Sequence, residues 1–303
     1  GYANTANAGD GDDTVNVSDN YHKVDAGAGN DTITVGGHRN TANTGAGDDT
    51  LNVSGSHHMV NAGVGNDTIT VGGRDNTANA DGGNDTINMS GHNNTANAGD
   101  GNDTVNVSGE YNTANAADGS DVVKVNGDGN VVDGGAGNDS MNVTGDSTAY
   151  GGAGNDLMNV FAGGGTIDGG AGNDTITGGK GVDTLSGGAG DDIFIISEDE
   201  LIVGESALYS VGGFQVQYYK SVINIDNIDC GSGFDTVVIP FDGYSNEKAI
   251  YFSKQSLSGI EKVEYGGSGS YLNLYIDADV WQSVDSWDLQ NLTKSISILG
   301  NGS

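Results

Sequence analysis

Along the first two thirds of the chain, apolar and polar residues alternate in short bursts. In Asp49-Thr50-Leu51-Asn52-Val53, Leu51 and Val53 fall on one side and Thr50 and Asn52 on the other, the period of two that marks a half-buried strand. A second burst of the same grammar lies nine residues away, as in Asn40-Thr41-Ala42-Asn43-Thr44, Asn76-Thr77-Ala78-Asn79-Ala80 and Asn94-Thr95-Ala96-Asn97-Ala98, with Ala where the first burst carries Val, Ile or Leu. Glycine-rich phrases, which favour turns, separate the bursts. One unit is therefore loop, strand, loop, strand. Stacked strand on strand about 4.8 Å apart, some ten such units make an all-β rod on the order of 50 Å long.

The phrase before the stronger strand ends in aspartate, at Asp13, Asp31, Asp49, Asp67, Asp85, Asp103, Asp121, Asp139, Asp156, Asp174 and Asp192, with every step 18 residues except one of 17 between Asp139 and Asp156. Such a rod has a thin interior, Val and Ile from one sheet meeting mostly Ala from the other. That apolar area cannot offset ordering that costs roughly 1–2 kcal/mol per residue, most of all in glycine loops. Composition sharpens the problem: 54 glycines, one proline, and 42 acidic against 10 basic side chains leave a formal charge of −32 over 303 residues. That balance repels phosphate and anionic surfaces, so nucleic acid and membrane insertion are not expected, and a cation is the expected partner. The single cysteine, Cys230, rules out an internal disulfide framework.

A flexible loop rich in oxygen donors suits Ca²⁺, a hard cation that takes about 6–8 oxygens at roughly 2.3–2.6 Å. In Gly-x-Gly-x-Asp the glycines allow tight turns that aim carbonyls inward, and the aspartate adds a carboxylate. One loop makes half a cage and the loop one turn later makes the other half. Regular spacing sets this apart from ordinary glycine-aspartate turns.

These phrases resemble the RTX, or repeats-in-toxin, proteins, whose nonapeptide Gly-Gly-x-Gly-x-Asp-x-U-x, U being apolar, builds a calcium-loaded parallel β-roll. The fullest match is GGAGNDTITGGKGVDTLSGGAGDDIFI, residues 169–195, and the resemblance covers about residues 1–196. It implies an all-β, right-handed parallel β-roll of 18 residues per turn, with several Ca²⁺ held by the aspartates named above. It also implies ligation by the carbonyls of Gly9 and Gly11, Gly27 and Gly29, Gly45 and Gly47, Gly63 and Gly65, Gly83, Gly99 and Gly101, Gly135 and Gly137, Gly152 and Gly154, Gly170 and Gly172, and Gly188 and Gly190. Residues 1–150 depart from the family on the other edge, where Asn4, Asn40, Asn76, Asn94, Asn112 and Asn130 stand at the aspartate position and His22 and His58 break the row. That edge reads as a hydrogen-bonded asparagine ladder without calcium, so about 8–11 ions would line one edge only. Asp183, whose neighbours one turn away are Gly165 and Leu201, is expected to bind weakly or not at all.

Beyond about residue 196 the composition shifts: both tryptophans, five of six phenylalanines and eight of twelve tyrosines lie in residues 194–303. Strand-like runs at FQVQYYKSVINI, DTVVIPF, IEKVEY and YLNLYI, with a short helix near 278–291, read as a β-rich cap over residues 197–303. A cap answers the need to close an open sheet edge. Gly231-x-Gly233-x-Asp235 repeats the loop grammar once more, and INIDNIDCGSGFDTVVI and LSGIEKVEYGGSGSYLNLYIDADVW resemble the flanks of RTX repeats in large exoproteins. His57 and His58 read as solvated loop residues, and Asn-Val-Ser phrases as a by-product of the repeat.

No nucleophile elbow, phosphate loop, His-Glu-x-x-His or Cys/His cluster is present, so the chain is not expected to be an enzyme. There is no apolar run long enough to span a bilayer. No secretory signal of the general type is read at the N-terminus, where the sequence opens in mid-repeat. The expectation is therefore a calcium-binding module of a larger extracellular, toxin-like bacterial protein with upstream domains, exported by a one-step (type I) route and folding where calcium is abundant. The alternative is an adhesin or surface-layer module that recognises ice or glycan through rows such as Thr50 with Asn52, Thr68 with Thr70 and Thr86 with Asn88, since such a flat Thr/Asn surface resembles ice-binding solenoids.

Overall fold

The computed structural model describes residues 4–179, 183–196 and Ser232, together with strands between residues 206 and 299. The chain forms two compact units, Gly1–Met158 and Asn159–Ser303.

In the first unit the two bursts become two parallel sheets. One, which we call the alanine sheet, runs strand beside strand from Thr5–Asp10 to Thr148–Ala153; the other, the valine sheet, from Thr14–Val17 to Ser140–Thr144. Neighbours in each sheet are one turn apart in sequence and in register, as in Ala78↔Ala96↔Ala114 and Ile69↔Ile87↔Val105, so like stacks on like. This is a parallel β-roll. Its interior is one side chain deep from each sheet: Ala78, Ala80, Ala96 and Ala98 are buried on one side, and Ile69, Val71, Ile87 and Met89 on the other. Thr and Asn alternate with them on the outer faces, as period two requires.

Stacking at this spacing explains the loop glycines before any ion is considered. A Cβ on Gly83, at φ +143°, would overlap the carbonyl of Gly65 one turn below, whereas one on the adjacent Gly82 would meet nothing within 4 Å. Asp81 and Ala117 take positive φ (72° and 79°) in the column that is otherwise glycine.

The 17-residue step is absorbed on the asparagine edge. Asn126 still pairs with Thr144 at 18 residues, but Asn130 donates to Ser147 at 17. The loop at Gly145–Ser147 lacks the left-handed residue that Tyr111 (φ 56°) and Gly129 (φ 69°) supply in the two preceding turns.

In the second unit, Thr166–Ala171 pairs in parallel with Thr184–Ala189, and Thr175–Gly178 with Ile193–Ile196. Asn227–Asp229 and Thr236–Pro240 then extend those two ladders. Ser206–Val211 and Phe214–Tyr219 form an antiparallel hairpin, and Lys248–Phe252, Leu272–Asp277 and Ile296–Leu299 a separate parallel sheet. The four strand-like runs each contain a strand. Within the short helix expected near 278–291, Ser286–Asp288 is instead a strand paired with Lys262–Gly266, the parallel ladder overriding local helical preference; the rest of that stretch lies outside the described residues. The loop Gly231-x-Gly233-x-Asp235 lies outside the described residues except for Ser232, which bonds back to Gly188 and Gly190. Among the described residues no helix is long and apolar enough to cross a membrane.

Candidate metal centre

The two edges of the roll use one backbone device with two chemistries. On the aspartate edge each N–H at the aspartate position donates to the carboxylate one turn on: Asp49 to Asp67 Oδ1 (2.7 Å), Asp67 to Asp85 (2.7 Å), Asp85 to Asp103 (2.7 Å), and so on to Asp156. On the opposite edge the same bond runs from Asn76 to Asn94 Oδ1 (3.0 Å), Asn94 to Asn112 (2.9 Å) and Asn112 to Asn130 (2.9 Å). The second side-chain atom separates them. Asn40 Nδ2 donates to the carbonyls of Asp19 and Gly36, both at 2.7 Å; Asn94 Nδ2 to Gly73 and Ser90; Asn130 Nδ2 to Gly109 and Gly127. Carboxylates have no proton to give. The Oδ2 atoms of Asp13, Asp31, Asp49, Asp67, Asp85, Asp103, Asp121 and Asp139 are buried without a hydrogen-bond partner.

The histidines in the asparagine row do not break it, which corrects the sequence reading. His58 is buried, accepts the Asn40 N–H at Nδ1 (3.2 Å) and places Nε2 3.1 Å from the carbonyls of Gly37 and Ser54. Nε2 therefore carries the proton, and the ring spans the same acceptor-to-donor reach as an asparagine amide. Burial lowers its pKa, which keeps that neutral tautomer. Of the adjacent pair, His57 is the solvated one, and it faces Asp75 at 3.8 Å. Ser147 continues the row in the first unit, its Oγ donating to Gly127 O (2.9 Å); in the second unit Asp183 Oδ1 accepts the N–H of Gly165 (2.7 Å).

An unpartnered, buried carboxylate oxygen is costly, and it shows in the titration of the row. Burial, reinforced by neighbouring aspartates, pushes Asp85 up to about 7 and Asp67 and Asp139 to about 6, against the lowering effect of the backbone bond each accepts. Burial likewise raises Asp121 to about 6 and lifts Asp49, Asp103 and Asp156. The carbonyls point the same way. The Oδ2 of Asp139 and the carbonyl of Gly151 converge on the space above Gly134, each 2.5 Å from where its Cβ would lie. In one turn Thr44 stands at the position of Gly134, and its hydroxyl reaches the equivalent carbonyl, Ala62 O, at 2.8 Å.

Among the described residues no three His, Cys, Asp or Glu side chains converge. The oxygens gathered on this edge are row carboxylates and backbone carbonyls, hard donors that fit calcium and do not fit a thiolate- or imidazole-seeking metal.

In the first unit the expected aspartates from Asp13 to Asp156 occupy one position of successive turns, and in the second unit Asp174 N–H donates to Asp192 in the same way; Gly9, Gly27, Gly45 and Gly63 stack in one column and Gly11, Gly29, Gly47 and Gly65 in another. Sequence reasoning passed over Gly119, which belongs to the second column (φ 151°). It also missed a second ladder outside the first, running the other way: Asp48 N–H donates to Asn30 Oδ1, Asn66 to Asp48, Asn84 to Asn66 and Asn102 to Asn84, at 2.8–2.9 Å. The signal was there in the Asn or Asp that precedes almost every row aspartate. The model of the RTX calcium-binding nonapeptide repeat matches residues 23–52, 61–89, 90–109, 115–142, 144–165 and 159–194, just over half of the chain. No curated protein matches it.

Proposed function

This chain belongs to the RTX calcium-binding repeat family, and from that premise we propose that its calcium runs as a single column of about 8–11 ions along the aspartate edge, with few or none along the asparagine edge. The observation that carries this reading is the contrast between two otherwise equivalent rows. Where the side chain is asparagine, its amide protons bridge two loop carbonyls; where it is aspartate, a carboxylate oxygen is buried with no donor to meet it. A cation between successive turns would do for the second edge what the amide does for the first. The row aspartates would be ligands, with carbonyls of the loop glycines completing each shell. Asp183, alone in a row of neutral partners, would hold an ion weakly or not at all.

Calcium-dependent ordering then couples the fold to its surroundings. An acidic chain with unfilled sites stays unfolded where calcium is scarce and folds after export by a type I-like route, outside the cell, as a non-enzymatic module of a larger protein. Strands after residue 197 cap the roll, the part taken by Asn227–Asp229 and Thr236–Pro240 on the last ladders. Anomalous scattering from calcium-soaked crystals tests the placement: density beside Asp67, Asp85 and Asp103 is expected, and equal density beside Asn76, Asn94 and Asn112 would overturn it. A second reading, an adhesive or surface-layer module, draws on the order of the outer faces. There Asn61, Asn79 and Asn97 each donate to the asparagine one turn below at 2.6–2.9 Å, a regular array of the kind that ice or glycan could match.

A further inference from the structure

We propose that the outer face of the valine sheet carries a groove for a sparsely charged acidic polysaccharide, walled on one side by Asn88, Asn106, Lys124 and Asn142 and on the other by Ser108 and Thr144. It shares Asn88 with the flat Thr/Asn rows and so deepens the second reading above, lies apart from the row aspartates, and needs the folded roll but not the identity of its ion.

The groove has a volume of about 500 Å³ and crosses the strands Thr86–His92, Thr104–Glu110, Val122–Asn126 and Ser140–Thr144. Its position follows from strand length. The three preceding strands of this sheet stop at Val35, Val53 and Val71, while these four run on past Met89, Val107, Val125 and Val143. They add a second outward column, Ser90↔Ser108↔Asn126↔Thr144, beside Asn88↔Asn106↔Lys124↔Asn142. Columns two residues apart on a strand share a face and lie about 6–7 Å apart, so a channel runs between them along the stacking direction.

What lines it decides the ligand class. The backbone groups of these strands are spent on the ladder, leaving no edge for an added peptide strand. Met89, Val107 and Val125 are at most 3 % exposed and offer no apolar floor. The groove presents amides and hydroxyls. Asn106 Nδ2 donates to Asn88 Oδ1 (2.9 Å), and Ser108 Oγ donates to Met89 O (3.1 Å) and so faces outward as an acceptor. These groups recur once per rung, every 4.8 Å or so, which matches a linear polymer of like, hydroxyl-bearing units laid along the axis. Lys124 adds an exposed cation that has no ion pair among the described residues, in a chain of net charge −32. One cation selects an occasional carboxylate. It does not neutralise a polyphosphate, whose dense charge the rest of the chain repels.

The test uses the calcium-loaded full chain and small saccharides followed by calorimetry: an aldotetraouronic acid, with one carboxylate among neutral units, as the acidic probe and xylotetraose as the neutral one. The acidic probe is expected to bind at least 5-fold more tightly than the neutral one. Lys124→Gln should erase that preference, and Asn106→Ala should weaken acidic binding at least 5-fold, with circular dichroism and the calcium midpoint unchanged in both. No binding of the acidic probe, equal affinity for xylotetraose, or acidic binding untouched by both substitutions would overturn the assignment. The calcium midpoint is read separately, so loss of the groove and failure of the metal reading give different results.

Discussion

One atom distinguishes the two edges of the roll, and that makes a single-residue exchange informative. In Asp85→Asn, the new Nδ2 should donate to the loop carbonyls as Asn94 Nδ2 does, relieving a buried unsatisfied oxygen worth about 1–3 kcal/mol. The variant should therefore bind fewer calcium ions yet, in chelator, form β-structure at a higher pH than the parent as the solution is acidified, read by circular dichroism. The reverse exchange, Asn94→Asp, should lower that pH. The row also sets a pH dependence whose sign follows from its raised pKa values. A carboxyl whose folded pKa lies above its unfolded value stabilises the fold below the unfolded pKa, and that contribution is lost as pH rises through the folded value. With Asp85 near 7 and Asp67, Asp121 and Asp139 near 6, the calcium-free chain should gain β-structure on acidification from pH 8 to about 4. Over the same range the calcium midpoint should rise, because protons compete with the ion for Oδ2. Circular dichroism against pH, with and without chelator, checks both.

At the level of the strand and its loop, turn-on-turn packing makes two adjacent glycines unequal. Gly83→Ala would drive a methyl into the Gly65 carbonyl at a positive φ, while Gly82→Ala meets open space. The first should cost about 3 kcal/mol and weaken calcium binding at the adjoining turns; the second should stay within about 0.5 kcal/mol. Chemical denaturation of the calcium-loaded variants separates them. If both were tolerated, the stacking distance would not be what requires glycine here. Period two was plain in the sequence for every strand of the roll. The extra length of Thr86–His92 and Thr104–Glu110 was not, because Ser90-Gly91 and Ser108-Gly109 read as turn residues until their in-register neighbours extend the ladder.

For the whole molecule, a core one side chain deep and a column of buried carboxylates leave little stability without ligand. Each filled site that exists only in the fold adds about 2.7 kcal/mol when calcium is 100-fold above its dissociation constant, against a usual total of about 5–15 kcal/mol. Chelation at neutral pH should consequently unfold the roll, and millimolar calcium should restore it in one cooperative step. A far-ultraviolet spectrum unchanged by chelator would refute this.

The alternation of Thr50-Leu51-Asn52-Val53, the 18-residue beat of the aspartates and the glycine columns were legible in the sequence, since a repeat stacks like residues and a stacked row needs no distant partner to define it. The sequence also separated the aspartate edge from the asparagine edge. What only the tertiary structure decided is how each edge is satisfied: the amide protons of Asn40 and Asn130 bridging loop carbonyls, the ring of His58 standing in for an asparagine, Ser147 taking up the shortened step, and the Oδ2 atoms of row aspartates such as Asp67, Asp85 and Asp103 left without a donor. Those are properties of one turn set against the next. A side chain at position 58 and carbonyls at 37 and 54 become neighbours only when the chain has gone once around.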